Sequence, residues 1–323
     1  MEKIDFKDRK ILYQLDLNSR QPFSLIGKKV GLPKTVVSYR ISRLKELGII
    51  KNFYTVIDIY KLGFIMMRFH YKYQYTTPKI EKEIIDYFVK HTNSTLVAST
   101  KGIFNLKVIK IIKNINDFYN KWQETQKKFG YYFQDKTSSL FINEMYYTPS
   151  YLLLNDYDKE KREKVTLIGR GKQVEIDDMD FKILKLISSN ARMQMTDIAQ
   201  KLGSTTHTVR YKIKKLKQSG VIQGFRTDID ITRLGYHIFR VNIFLKDYKQ
   251  RNKIINYIKF NPNLIFIDTY TGDADLEVEF YLEDMNQLHQ IMQNLMGKFP
   301  DAISYYKHLN IIKYHKFLYM PTE

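Results

Sequence analysis

Apolar residues recur at helical spacing from the start of the chain. Phe6, Ile11, Leu12 and Leu15 share one side of a first helix, and Asp5 is placed to cap its N-terminus. The polar run Asn18-Ser19-Arg20 ends it. Ser24 then opens a short second helix through Ile26 and Val30, closed by Gly31, and Pro33 starts a third at its first turn, where a missing N–H costs nothing. In that third helix Val37, Ile41 and Leu44 stand at i, i+4 and i+7 and face the core. Gly48 ends it, and Ile49 to Ile59 reads as an extended segment. Beyond it the period alternates between two and 3.6. Extended stretches are expected at Ile65 to Tyr75, Thr95 to Thr100, Ile103 to Ile112 and up to Tyr147, with helices over Ile80 to Lys90 and Ile115 to Phe129. The order is β-α-β-β-α-β, a ferredoxin-like arrangement.

The same pattern then returns. Sliding the chain by 172 positions lays Ile4 to Phe64 over Ile176 to Tyr236 without a gap, and about two positions in five are identical. The back half repeats in pattern, with extended stretches at Ile238 to Leu245, Leu264 to Thr271, Ala274 to Leu282 and Ile303 to Leu318, and helices over Asn252 to Phe260 and Met285 to Phe299. The expected class is therefore α+β, two copies of a helix-turn-helix domain followed by a ferredoxin-like domain. The boundaries read 1–62 and 63–154 for the first copy, 176–235 and 236–323 for the second, with 155–175 as a charged linker lacking apolar periodicity.

Charge changes the picture more than composition does. The formal net charge is +19, and +13 of it falls in residues 1–154, whereas residues 236–323 are neutral. Such a field favours a polyanionic partner, here double-stranded DNA. There is no cysteine, which removes disulfides, thiolate metal sites and cysteine nucleophiles, and the seven histidines lack ligand spacing, so neither metal nor cofactor is expected. Charges stand where a signal peptide would need its apolar stretch, and no run of about 18 apolar residues occurs, so the chain reads as cytoplasmic, nucleoid-associated and free of membrane.

With the core side of the third helix assigned, Lys34, Thr35, Ser38, Tyr39, Arg40, Ser42 and Arg43 remain as candidate DNA contacts. The second copy offers Thr205, Thr206, His207, Arg210, Tyr211, Lys212, Lys214 and Lys215, behind Ser204 as the expected cap. Small polar residues near such a helix N-terminus suit base edges and the later cations suit phosphates; the plainer reading is a solvated basic face. The chain resembles the Lrp/AsnC (feast/famine) transcriptional regulators. The resemblance rests on Asp-x-x-Asp-x-Lys-Ile-Leu (Asp5 to Leu12, Asp177 to Leu184), Asn-x-Arg (Asn18 to Arg20, Asn190 to Arg192), Ile-x-x-Lys-x-Gly (Ile26 to Gly31, Ile198 to Gly203) and the run from Val37 to Ile50, repeated from Val209 to Ile222. It implies a sequence-specific regulator whose ferredoxin-like (RAM-type) domains pair through their sheets, and an amino-acid effector held near the turn between their second and third strands. Members usually carry one unit per chain, so pairing within one chain, assembly of several chains, or both are open.

That turn differs between copies. Thr271-Gly272-Asp273-Ala274-Asp275 keeps the acidic pair that would receive an ammonium group, and Thr271, Gly272, Asp273 and Asp275 are the candidate effector residues; the first copy has Lys101-Gly102-Ile103-Phe104-Asn105. The plainer reading is a hairpin shaped by its glycine. Asp273, Asp275, Glu277 and Glu279 also alternate on one strand face, against Ile103, Asn105, Lys107 and Ile109 in the first copy. This predicts that the two back halves pair, with Lys107 near the acidic face. Two other functions compete: a chromatin-like, sequence-indifferent DNA coat, and a haem-biosynthesis enzyme resembling the sirohaem decarboxylases, with His237, Arg240, His308 and His315 holding a tetrapyrrole's carboxylates.

Overall fold

The computed structural model describes residues 4–90, 93–156, 162, 164–169, 171–272 and 274–321. In the first copy, α1 (Phe6–Leu17), α2 (Phe23–Val30) and α3 (Lys34–Glu46) lead into β1 (Ile50–Ile57). β2 (Ile65–Tyr73), α4 (Pro78–Lys90), β3 (Ser94–Gly102), β4 (Leu106–Ile112), α5 (Ile115–Phe129) and β5 (Phe133–Tyr147) follow, and then a short β6 (Lys164–Ile168). The second copy repeats this with α6 (Asp178–Ser188), α7 (Met195–Lys201), α8 (Thr206–Gln218), β7 (Ile222–Ile229), β8 (His237–Leu245), α9 (Arg251–Ile258), β9 (Leu264–Thr271), β10 (Leu276–Leu282), α10 (Met285–Lys298) and β11 (Ile303–Phe317).

Helix starts differ from expectation by a residue or two. Asp5 caps α1 in a reciprocal capping box with Asp8, as Asp177 and Asp180 do for α6. Pro22, not Ser24, is the cap residue of α2, Pro33 precedes α3 instead of opening it, and Thr205 rather than Ser204 caps α8, accepting from the Thr208 N–H at 3.1 Å. The segment expected to be a charged linker holds β6, because its Lys-Val-Thr-Leu-Ile stretch finds an open edge of β5 to pair with.

The two front halves pair about an approximate twofold. β1 and β7 run antiparallel, and the contacts on either side are reciprocal. Ser19 N–H donates to Phe225 O and Ala191 N–H to Phe53 O, both at 2.8 Å; Asp58 N–H to Val221 O and Asp230 N–H to Ile49 O, again both at 2.8 Å. Arg20 donates to the carbonyls of Ala191 and Met193, and Arg192 to those of Ser19 and Gln21. The Asn-x-Arg motif is thus a clasp between copies.

The back halves close on each other. Each forms a four-stranded antiparallel sheet, β5-β2-β4-β3 and β11-β8-β10-β9, and the edges are joined by β3 with β11 and β5 with β9. The outer faces carry Leu106 and Val108, or Leu276, Val278 and Phe280, under the helices. Alternation turns Lys107, Glu277 and Glu279 to the inside. There Glu277 accepts from Lys107 at 3.1 Å, from Arg240 at 2.6 Å and from Arg68, while Arg240 also reaches Asp268 at 2.5 Å and Glu279. The predicted approach of Lys107 to the acidic strand is therefore present. None of these six side chains is more than 5% exposed. Burial pushes the Lys107 amine down to about 8, and burial with Asp268 nearby pushes the Glu144 carboxyl, which accepts from Tyr319 at 2.9 Å, up to about 8. Burial opposes the charge on Glu277, but Arg68, Lys107 and Arg240 outweigh it and hold its carboxyl well below the usual range.

Two outcomes are expected. Lys107→Glu and Glu277→Lys should each cost about 3–5 kcal/mol by leaving buried charge unpaired, and the double exchange should cost less than their sum, recovering only part because position 277 still faces two guanidiniums; denaturant unfolding measures this, and strict additivity would mean the pair is not coupled. Lys110 is buried on the outer face, 5.1 Å from the Phe88 ring centre, and burial, with Lys121 next, pushes its amine from 10.5 down to about 8. The unfolded chain holds more protons between those pH values, so this site's cost is full below about 8 and disappears as pH rises toward 10.5. Lys110→Met should accordingly stabilise the protein by about 1–3 kcal/mol at pH 7, with the advantage vanishing near the upper value.

Candidate nucleic-acid interface

The recognition helices α3 and α8 are held by their inward residues, Val37, Ile41 and Leu44 or Val209, Ile213 and Leu216, all buried. Lys34, Thr35, Tyr39 and Ser42 are exposed on α3, with Ser38 half-buried; Thr205, Thr206, His207, Arg210, Tyr211, Lys214 and Lys215 are exposed at α8. Tyr39 at 68% and Tyr211 at 62% exposure are far beyond what an unassisted aromatic needs, and they occupy equivalent positions.

Three expected contacts are placed otherwise. Arg40 donates to Asp5 at 2.7 Å and to Asp8 at 2.9 Å, and Arg43 reaches Asp8 at 3.3 Å. In the second copy Lys212 pairs with Asp177 at 2.5 Å and Asp180 at 3.2 Å. The capping-box carboxylates draw these cations sideways, so Arg40 and Lys212 clamp the recognition helix to the first helix instead of facing outward. Hydrogen bonds to Asp5 and Asp8 hold the Arg40 guanidinium above its ordinary pKa; for Lys212 burial pulls downward, and its bonds to Asp177 and Asp180 reverse that. The Asp-x-x-Asp motif is a structural device, and the signal was in the sequence: the motif and the cation 35 or 32 residues later recur together in both copies.

A family profile described as winged helix-turn-helix DNA-binding matches residues 5–51 and 176–223. An uncharacterized HTH-type transcriptional regulator of Pyrococcus furiosus is 33% identical over 124 residues, covering 38% of this chain and 84% of the relative. The chain belongs to the Lrp/AsnC family, with two units in tandem. Regulatory protein AsnC of Haemophilus influenzae is 27% identical over 118 residues, 36% of this chain and 79% of its own. HTH-type transcriptional regulator FL11 of Pyrococcus horikoshii is 27% identical over 145 residues, 45% and 94% of the two chains. Among solved structures, the siroheme decarboxylase NirDL superposes with a TM-score of 0.63 at 13% identity, over 98% of this chain and 94% of that one. That likeness is one of fold.

The residues considered for tetrapyrrole binding do not converge in this tandem Lrp/AsnC chain: His308 is half-buried on β11 opposite Val241, whose side chain is under the helices on the outer face. Arg240 is spent on Asp268, Glu277 and Glu279 inside the closed sheets, His315 bonds Ser99 at 2.8 Å, and His237 is exposed at the start of β8. In the effector turn, the Asp275 carboxylate accepts the Leu245 N–H at 2.7 Å and Gly272 takes φ +83, which the tight turn requires. Thr271 ends β9, paired with Leu140 of the first copy, and Asp273 lies outside the described residues. Among the described residues no His/Asp/Glu group is arranged to hold a metal, and no helix is long and apolar enough to cross a membrane.

Arg40→Ala should cost about 1–2 kcal/mol in unfolding experiments, because Asp8 is 1% exposed and loses its closer cation. Tyr39→Ala and Tyr211→Ala should stay within about 0.5 kcal/mol of the parent. Unchanged stability with weakened DNA binding in Arg40→Ala would return that guanidinium to the interface.

Proposed function

We propose that this protein is a sequence-specific DNA-binding transcriptional regulator in which one chain presents two unlike reading heads. The observation that carries the reading is the pair of recognition helices, joined by one symmetric clasp, whose equivalent outward positions carry different chemistry. Thr35, Ser38 and Ser42 stand where the second copy has His207, Arg210 and Lys214. Hydroxyls accept or donate to either purine or pyrimidine edges, whereas Arg prefers the paired acceptors of guanine. An operator spanned by one chain therefore has unlike half-sites, unlike the palindrome that a matched dimer demands. The basic first copy, with +13 of the net charge in residues 1–154, supplies most of the phosphate attraction. As a DNA-binding regulator the protein would act where the DNA is, in the cytoplasm. The turn from Thr271 to Asp275 is left out of this reading, since the Asp275 carboxylate already serves the Leu245 N–H.

Footprinting on genomic fragments selected by the protein should return two dissimilar half-sites, and competition at fixed salt should favour the selected fragment over bulk DNA by about 10³ or more. Equal competition by bulk DNA would make it a sequence-indifferent coat instead. Arg210→Ala should weaken one half-site by about 1–3 kcal/mol, and Lys214→Ala should weaken all sequences alike while lowering the salt slope by about one.

A further inference from the structure

The approximate twofold that relates the copies fails at the far ends of β5 and β11. On the first side β5 outruns β2, whose ladder with it ends at the Met67–Leu140 pair. The exposed edge of β5 beyond that point is taken by β6, with Glu144 opposite Ile168, Met145 opposite Leu167 and Tyr146 opposite Thr166. Thr166 and Ile168 are buried there, and the Gly169 N–H donates to Asp58 Oδ1 at 3.2 Å. Gly169 has φ +90, and a Cβ on it would stand 2.2 Å from Ile142 O, so only glycine closes the strand this tightly.

On the second side β11 outruns β8 in the same way. The ladder between them ends at Ile311 opposite Ile238, and among the described residues no strand accompanies Ile312 to Phe317 on that edge. β5 and β11 are both 15 residues long, so Tyr314 to Phe317 correspond to Glu144 to Tyr147, and Asp230 corresponds to Asp58 under the shift of 172. These counterparts, Ile312 to Phe317 and Asp230, line a cavity of about 580 Å³ between the paired front halves and the closed sheets. Tyr54, Tyr146, Tyr151 and Tyr281 form much of its wall, and the Thr227 hydroxyl in that wall is buried with no hydrogen-bond partner. Asp230 caps its turn through the Thr232 N–H, as Asp58 does through Tyr60, but its carboxylate also accepts the Thr232 hydroxyl at 2.6 Å and pairs with Lys51 at 3.1 Å, so the open feature on this side is the strand edge itself.

We propose that this cavity is a docking site for an extended peptide segment of a partner protein, which adds to the open edge of β11 as β6 adds to β5. A strand edge offers alternating N–H and C=O groups that a peptide backbone satisfies and a small molecule does not. The segment it fits is about five residues long, with β-branched or aliphatic side chains at alternate positions facing the tyrosines, in the manner of Thr166 and Ile168. The site does not depend on the DNA-binding reading and can fail or stand without it.

The probe is a labelled peptide of residues 162–169, the chain's own strand of this type, added to the full-length protein. Anisotropy should show saturable binding with one peptide per chain. N-methylation of alternate amides on the pairing edge should weaken it by about tenfold or more, and methylation on the other edge by less than about threefold. Because the chain has no cysteine, Ile312→Cys introduces a unique thiol at the cavity; a bromoacetyl form of the peptide should alkylate it at least about tenfold faster, relative to bromoacetamide, than it alkylates Tyr39→Cys on α3. No binding, binding indifferent to both methylation patterns or to scrambling, or binding without accelerated alkylation at position 312, which would mean displacement of β6 from β5, would each overturn the proposal.

Discussion

Where the two sheets close on one another, Arg68, Lys107, Arg240, Asp268, Glu277 and Glu279 are sealed from water in one network. Each of these charges would cost several kcal/mol if buried alone, so the network is tolerable only when complete. Its members are unevenly supplied. The first copy brings Arg68 and Lys107, the second brings three carboxylates and Arg240. Two first copies facing each other would enclose cations with Glu144 as the available carboxylate, and two second copies would enclose six carboxylates against two guanidiniums. Either assembly leaves uncompensated buried charge, which amounts to a strong preference for pairing unlike halves. Joining those halves in one chain makes the preferred partner the nearest one. The same joined halves carry the reciprocal clasp between the front domains.

Much of this was legible before any coordinates. The gapless repeat gave the number of units, and the switch of apolar period gave every ferredoxin-like strand and helix to within a few residues. The approach of Lys107 to Glu277 could be inferred because alternation along a strand fixes which side chains share a face; of the four carboxylates expected there, Glu277 and Glu279 face the cations, whereas Asp275 precedes β10 and accepts the Leu245 N–H, and Asp273 lies outside the described residues. What could not be read was decided by tertiary context. Arg40 and Lys212 lie on the accessible side of their helices by periodicity, and only the folded position of the capping-box aspartates turns them sideways. The β6 strand has five residues inside a charged segment, too few for a period to declare itself; it is a strand because β5 extends past its neighbour. Ser24 and Ser204 were reasonable caps by residue type, but the helix boundary was set one or two residues away by where the chain enters the turn.

The symmetric and asymmetric features serve different ends. Symmetry is kept where the front halves are held together and capped: Arg20 and Arg192, Asp8 and Asp180, Asp58 and Asp230 have matching tasks, whereas the charges between the back halves are complementary instead of equal. It is also lost on the surface. The outward residues of α3 and α8 differ, and one of two equivalent strand edges is covered while the other opens on a cavity. After a duplication, positions that serve the internal interface can change only together with their partners in the other copy, as Lys107 and Glu277 show, whereas positions that face out are free of that constraint.

The junction between front and back halves bears on how such a protein can be regulated. Arg226 is fully buried; it pairs with Asp16 of α1 at 2.5 Å, donates to the Tyr147 carbonyl of β5 at 3.3 Å and lies 3.7 Å from the Tyr146 ring centre. Its counterpart Tyr54 meets the Tyr146 hydroxyl at 3.0 Å. Moving one reading head relative to the other would break this buried ion pair between α1 and β7, a loss of about 3–5 kcal/mol before any other contact is counted. An effector bound at either sheet alone would need a differential affinity of several hundredfold to drive it. The spacing of α3 and α8 is therefore effectively fixed by the fold, and a regulator built this way is more readily controlled by what docks on its surface than by a hinge between its halves.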